Sequence, residues 1–180
     1  MLTDYQNQTI NKELSEFYGK TLLITQTSFA KSYYELKNGD ELIATLNIDK
    51  IMGRHAEISF YNQAWEVEKK GFWSNSYTIF KKDSKKELAT VITELFKNPV
   101  IELPRGGRII LKTRIFKGIT EIQTELENPI AYIKGKISWK EKAEVTFEQK
   151  HKLLNENPWI IMLVWFFEVL RSRQSHAAFH

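Results

Sequence analysis

The stretch Trp159 to Leu170 reads WIIMLVWFFEVL, twelve residues of which only Glu168 is polar. A helix apolar on every side has no face to turn to water, so it is buried all round or sits in lipid. Asn157 is a suitable N-cap, Pro158 fits a first helical turn, and Arg171 and Arg173 complement the negative end of a helix dipole. At 1.5 Å per residue, about thirteen residues reach only ~20 Å, short of the ~30 Å hydrocarbon core of a bilayer. The expectation is a helix over 158–172 enclosed by the rest of the chain.

The enclosing material is written upstream, where period-two alternation dominates from Thr21 to Gln149. Ile109, Leu111, Thr113 and Ile115 fall on one face, and Arg108, Lys112 and Arg114 on the other with Ile110 and Phe116. Ala131, Ile133, Gly135, Ile137 and Trp139 alternate in the same way with Tyr132, Lys134, Lys136 and Ser138. Each such segment has one apolar and one wet face. Pattern reading gives about twelve strands, at 21–27, 33–37, 41–48, 54–60, 64–69, 74–81, 86–92, 99–103, 108–116, 119–126, 130–139 and 143–149. Asn38-Gly39 predicts a two-residue type I′ turn, and Lys82-Asp83-Ser84 and Lys117-Gly118 predict further turns. A faint echo links Tyr34-Glu35-Leu36 and Glu41 to Thr45 with Tyr77-Thr78-Ile79 and Glu87 to Thr90. It reads as one hairpin type used twice.

About twelve half-apolar strands and one wholly apolar helix fit together if the strands close into a ring around the helix. Closure also removes sheet edges. Small residues on the inner faces, Ala44, Ala56, Ala131 and Gly135, leave room for Trp159, Trp165, Phe166 and Phe167. The predicted fold is therefore mainly β: a closed, roughly twelve-stranded antiparallel barrel around a buried hydrophobic C-terminal α-helix. Residues 1–20 form a polar lead with room for a short helix, 21–173 the barrel, and 174–180 a flexible tail. At 180 residues with 42% hydrophobic content, the chain has enough core to need no covalent staple. The absence of cysteine excludes thiolate catalysis and Cys-ligated metal sites.

The strand number, hairpins such as Tyr34 to Leu42, and the terminal Trp159 to Leu170 helix resemble the tubby C-terminal-like superfamily, which includes tubby proteins, phospholipid scramblases and LURP-one-related proteins. The likeness spans Thr21 to Arg173 and is architectural. It implies a closed twelve-stranded barrel around the helix, phosphoinositide headgroup binding through basic side chains in the manner of tubby domains, and lipid-associated roles in the manner of scramblases. The acidic calcium-binding segment expected near a scramblase helix is replaced here by Lys150, His151 and Lys152, with Glu156 the nearby acid. No headgroup residue carries over position by position.

Three basic patches are the candidate ligand contacts. Lys81, Lys82, Lys85 and Lys86 crowd one turn, Lys69 and Lys70 precede Phe72 and Trp73, and Arg105 and Arg108 flank Gly106-Gly107. Ammonium and guanidinium groups attract anionic headgroups, and aromatic rings beside them suit a membrane interface. Each patch also reads as ordinary structure: a solvated hairpin tip, rings folded into the core, a plain turn. Glu168 likewise has two readings, a carboxylate at the barrel mouth paired with Arg171, or a proton-sensing group in the interior. The four histidines, His55, His151, His176 and His180, show no metal-ligand spacing, and no GxSxG, HExxH or GxGxxG motif occurs. No catalytic residue, metal ligand or cofactor is assigned.

The net charge of +4 comes from Lys far more than Arg, and no recognition-helix or RNP-type motif accompanies it, so nucleic acid is not an expected partner. The polar N-terminus has no signal-peptide pattern, which predicts a cytoplasmic protein able to associate with a membrane surface. The leading functional reading is a non-enzymatic barrel that binds anionic phospholipid or phosphoinositide headgroups. The alternatives are a lipocalin-like carrier of a small apolar ligand, which needs the helix outside the barrel or capping it, and a protein-interaction scaffold.

Overall fold

The alternation along the chain becomes a closed wall. The computed structural model describes residues 12–27, 32–49, 53–71, 74–94, 97–136 and 141–177. Its strands are β1 (Thr21–Gln26), β2 (Tyr33–Asn38), β3 (Glu41–Ile48), β4 (His55–Phe60), β5 (Gln63–Lys69), β6 (Ser76–Lys81), β7 (Lys86–Ile92), β8 (Val100–Glu102), β9 (Arg108–Arg114), β10 (Ile119–Thr124), β11 (Pro129–Lys136) and β12 (Lys142–Phe147). Every strand pairs antiparallel with the next, and β1 returns to β12 from Thr21↔Thr146 to Thr25↔Lys142. The ring therefore leaves no free edge.

Alternation sorts the side chains as the sequence requires. Ala56, Ile58 and Phe60 of β4 and Trp65 and Val67 of β5 are buried, while Glu57, Ser59, Glu66 and Glu68 stand on the outer face. The echoed hairpins are the same device. Both β2–β3 and β6–β7 shift register at matching steps, Leu36/Lys37 and Ile79/Phe80, and each sends one tyrosine against the helix.

Two helices follow, α1 (Lys152–Glu156) and α2 (Ile160–Ala177). Asn157 ends α1 instead of opening α2: its backbone N–H and its side-chain amide both donate to the Leu153 carbonyl, at 3.1 and 3.0 Å. Its own carbonyl accepts from Ile160 N–H at 3.1 Å, so the long helix starts two residues later than predicted. The helix also runs on to Ala177, beyond the expected end at 172. Trp159 to Phe166 are buried throughout. Strands from all round the ring touch this one rod: Tyr34 of β2 meets Trp165 edge-on at 5.9 Å, Tyr77 of β6 meets Phe166 at 5.6 Å and Phe167 at 5.1 Å, and Thr120 of β10 donates to Glu168 at 2.6 Å. The helix is the axis of the barrel. Among the described residues no helix is long and apolar enough to cross a membrane.

Because the strands alternate in direction, their connections alternate between two ends. Those after even-numbered strands lie at one end, where β12 also leads into α1 and a 3-10 turn over Leu14–Phe17 packs in. Leu14 and Phe17 are buried there, and Asn155 of α1 accepts from Ser15 N–H at 2.9 Å, so this end is plugged. Connections after odd-numbered strands belong to the other end, which is open among the described residues and where α2 emerges.

Several expectations need correction. Ile115, assigned to an inner strand face, lies beyond the end of β9 and is 70% exposed. Gly135 keeps its inner-face place but lies at the mouth, where it lines one hollow with Trp165 and its N–H is bonded to Gly118 O at 2.9 Å. At the β2–β3 turn only Gly39 has positive φ, 59°, with Asn38 still in its strand, so the type I′ pattern of two positive angles is not formed. Ile137, Ser138 and Trp139 lie outside the described residues.

The all-round burial of α2 sets a measurable cost. Phe166→Ala removes a side chain packed on Tyr77 and Phe167, and urea denaturation should show a loss of about 3–5 kcal/mol. Lys152→Ala, on the exposed side of α1, should leave the midpoint unmoved.

Candidate functional site

The eight cations singled out in the sequence divide between the two ends. Lys81, Lys82, Lys85 and Lys86 form the β6–β7 turn, Arg105 lies in the β8–β9 turn, and Arg108 begins β9, all at the plugged end. Lys69 and Lys70 close β5 at the open end. Half of the set already has carboxylate partners: Lys82 with Glu57 at 2.6 Å, Lys85 with Glu66, Arg108 with Glu102 at 3.1 Å and Glu125 at 3.8 Å, and Lys70 with Glu87 at 3.8 Å. Lys69, Lys81, Lys86 and Arg105 have no ion pair among the described residues. Phe72 and Trp73 lie outside those residues.

The open end carries a feature that the alternation hid. After Arg114 the chain leaves the ladder for a 3-10 turn over Ile115–Lys117, and Gly118 at φ 60° returns it to β10 in the left-handed region that glycine tolerates best. The turn lifts two apolar side chains off the wall, Ile115 at 70% and Phe116 at 106% exposure. Register places Lys134 of β11 opposite Ile119, at the foot of this tip, and Lys112 on the outer side of β9 beside Glu121. Lys112, Lys117 and Lys134 have no ion pair among the described residues. Arg114 is committed to Glu121, an outward-facing carboxylate that is only 5% exposed and that also accepts from Gln123 Nε2 at 2.7 Å. Lys136 is paired with Glu144. The result is an apolar tip beside a groove that carries Arg114, Lys117 and Lys134 together with the carboxylates of Glu121 and Glu144.

Inside the mouth, Glu168 is half-buried and bonded to Arg171 on one oxygen and to Thr120, at 2.6 Å, on the other. The paired reading of this residue is the one the fold adopts. Nearby, the Tyr34 hydroxyl donates to Glu141 and accepts from Arg173 at 3.4 Å, while Arg173 also reaches Ser32 Oγ at 2.8 Å. Burial pushes the Tyr34 phenol well above its ordinary value, and the Glu141 carboxylate pushes it further. Between α2 and β11–β12 lies a cavity of about 640 Å³, with Ile133, Trp165 and Val169 as its apolar lining and Lys136, Lys142 and Arg171 among its charged groups.

Elsewhere on the wall, cross-strand pairing sets Glu68 opposite His55 with Glu66 two residues along, and one donor atom from each lies within 4.8 Å of the others. Spacing within one strand cannot reveal such a trio. Nitrogen and carboxylate oxygen suit zinc, but Lys85 occupies Glu66 and must first be displaced.

No protein-family profile matches the chain, and no curated protein matches it. A solved X-ray structure of the Arabidopsis thaliana protein AT5G01750 is similar in fold, with a TM-score of 0.51 at 10% sequence identity, covering 83% of this chain and 91% of that one. The likeness is one of architecture.

The Tyr34–Glu141–Arg173 contact has a pH signature. A phenol whose folded-state pKa exceeds the unfolded value near 10 contributes stability that is whole below about pH 10 and lost as pH rises through the folded value. Unfolding free energy followed from pH 8 to 11.5 should therefore fall at the alkaline end, and less steeply in Tyr34→Phe. Parallel curves would remove Tyr34 from this role.

Proposed function

We propose that this chain is a non-enzymatic barrel module that docks its open end on anionic phospholipid surfaces. The observation that carries the reading is the β9–β10 tip, where Ile115 and Phe116 stand free in solvent with Lys117 in the turn itself, Lys134 at its foot and Lys112 farther down the outer face of β9. An exposed ring and an aliphatic chain gain by entering the headgroup and acyl boundary, and each nearby cation adds about 1 kcal/mol against an anionic leaflet. Lys69 and Lys70 lie at the same end and join the approach face.

Neither contribution suffices alone. One phenylalanine gives marginal partitioning, and a few lysines give attraction that salt screens away. Together they give a reversible surface association. Strand number and the central helix are the features on which a grouping with the tubby C-terminal-like barrels rests, and for those barrels binding of acidic headgroups is the expectation.

The patches at the plugged end favour the same ligand class less strongly, because Lys82, Lys85 and Arg108 are already neutralised by neighbours. Co-sedimentation with vesicles of phosphatidylcholine, with and without phosphatidylserine, separates the two faces. The wild-type chain should pellet with the anionic vesicles at low salt and release as salt rises. Ile115→Ser/Phe116→Ser and Lys117→Glu/Lys134→Glu should each weaken pelleting by roughly tenfold or more, and Lys81→Glu/Lys86→Glu should not. Equal pelleting with neutral vesicles rejects the proposal. Loss confined to the Lys81/Lys86 pair moves the docking face to the plugged end.

A further inference from the structure

Strand pairing alone makes the trio His55, Glu66 and Glu68. On the outer face of the wall His55 of β4 stands directly opposite Glu68 of β5, and Glu66 is the next outward residue along β5. Residues directly opposite hold their Cβ atoms about 5 Å apart and diagonal ones roughly 7–8 Å, within reach of an imidazole and two long carboxylate side chains. One donor atom from each lies within 4.8 Å of the others. A tetrahedral zinc ion with bonds of ~2.0–2.1 Å sets its donors roughly 3.3–3.4 Å apart, so rotation of the three side chains closes the site while the strand pairing stays as it is.

The three groups are unequally committed. Glu66 is the shielded one, its side chain 12% exposed, and the Lys85 ammonium from the β6–β7 turn is bonded to it. Glu57, opposite Glu66 on β4, is taken by Lys82 at 2.6 Å. Glu68 and the His55 ring have no hydrogen bond or ion pair among the described residues. The trio thus sets two carboxylates against one ammonium: a cation already sits there, and the charge is half balanced. On the far side of Glu68, Thr78 of β6 faces it in register, 2% exposed, and its hydroxyl has no hydrogen-bond partner among the described residues. A buried hydrogen-bonding group beside a carboxylate ligand is the usual outer support of a metal site.

We infer that His55, Glu66 and Glu68 form a site for one divalent transition-metal ion, with zinc as its probe, which enters by displacing Lys85 from Glu66. Imidazole suits zinc and its neighbours, whereas magnesium and calcium take oxygen ligands, and one nitrogen with two carboxylate oxygens leaves a fourth tetrahedral position to water. The exchange balances in charge. A dipositive ion neutralises both carboxylates, and the displaced ammonium keeps its proton and returns to solvent at the hairpin tip. Lys85 then joins Lys81 and Lys86 as a cation without a carboxylate partner. The inference is independent of the membrane reading, because it uses no residue of the β9–β10 tip.

The test is titration of the full chain with zinc chloride against a chromogenic zinc chelator, with magnesium in excess and no vesicles. The wild-type chain and the tail variant His176→Gln/His180→Gln should each take up one ion saturably. His55→Ala and Glu68→Gln, both changes on the outer wall, should each weaken uptake roughly tenfold or more with circular dichroism unchanged. Lys85→Met removes the competing cation and should tighten uptake severalfold, a gain that scattered surface carboxylates do not give. Phe116→Ser should bind zinc as the wild type does even where it no longer pellets with vesicles, so the two readings fail separately. Absence of saturable uptake overturns the inference. So does unchanged affinity in His55→Ala or Glu68→Gln, no gain in Lys85→Met, or loss of the site with the tail histidines.

Discussion

Everything in this molecule follows from the need to keep water off α2. A helix with aliphatic and aromatic groups on all sides cannot be satisfied by one sheet, nor by the two facing sheets of a sandwich, which leave its flanks wet. A closed ring surrounds it, and the ring in turn needs the helix, because twelve strands enclose more space than their own inward side chains fill. Wall and axis each supply the apolar surface that the other lacks. Tyr34 and Tyr77, at equivalent steps of two like hairpins, show the match in detail, each presenting a ring edge to an aromatic of α2.

This mutual dependence explains why the architecture was legible in the sequence. Alternation reports which face of a strand is buried, and continuous apolarity reports that a helix is buried everywhere. Strands β3 and β7 run over the residues expected, and most of the others depart by one or two positions at an end. The departures have local causes. At β9 the pattern carried on through Ile115 and Phe116, two apolar residues in the right phase, while the backbone turned at Lys117-Gly118. Phase alone cannot distinguish a strand from the turn that ends it when the turn residues are hydrophobic. At Asn157 a single capping residue served either of two adjoining helices, and the shorter one took it.

The candidate site was less legible, although part of it was open to simple counting. In an antiparallel ring the connections after odd and even strands go to opposite ends. Lys69 and Lys70 lie at the end of the fifth strand, whereas Lys82 and Arg105 follow the sixth and eighth, so the backbone of these patches belongs to opposite ends of the ring. The same parity puts the Phe116 tip with Lys69 and Lys70. What counting cannot supply is which charges are already spent. Glu57 faces Lys82 and Glu66 faces Lys85 only because β4 and β5 lie beside the β6–β7 turn, and those partners are far away in sequence.

The hollow beside Gly135 is the residue of the same volume balance that shapes the core. Along α2 the side chains are largest at Trp165, Phe166 and Phe167, where Tyr34 and Tyr77 close on them. Farther on, Val169 and Ser172 are smaller, and the wall that faces them offers Gly135 and Ala143. A close-packed interior pairs small side chains with large ones. Small meets small at the mouth. The apolar residues beside that space keep their packing, with Val169 1%, Ile133 2% and Trp165 6% exposed. Looser packing is tolerable at the end of a barrel, where few other contacts depend on it.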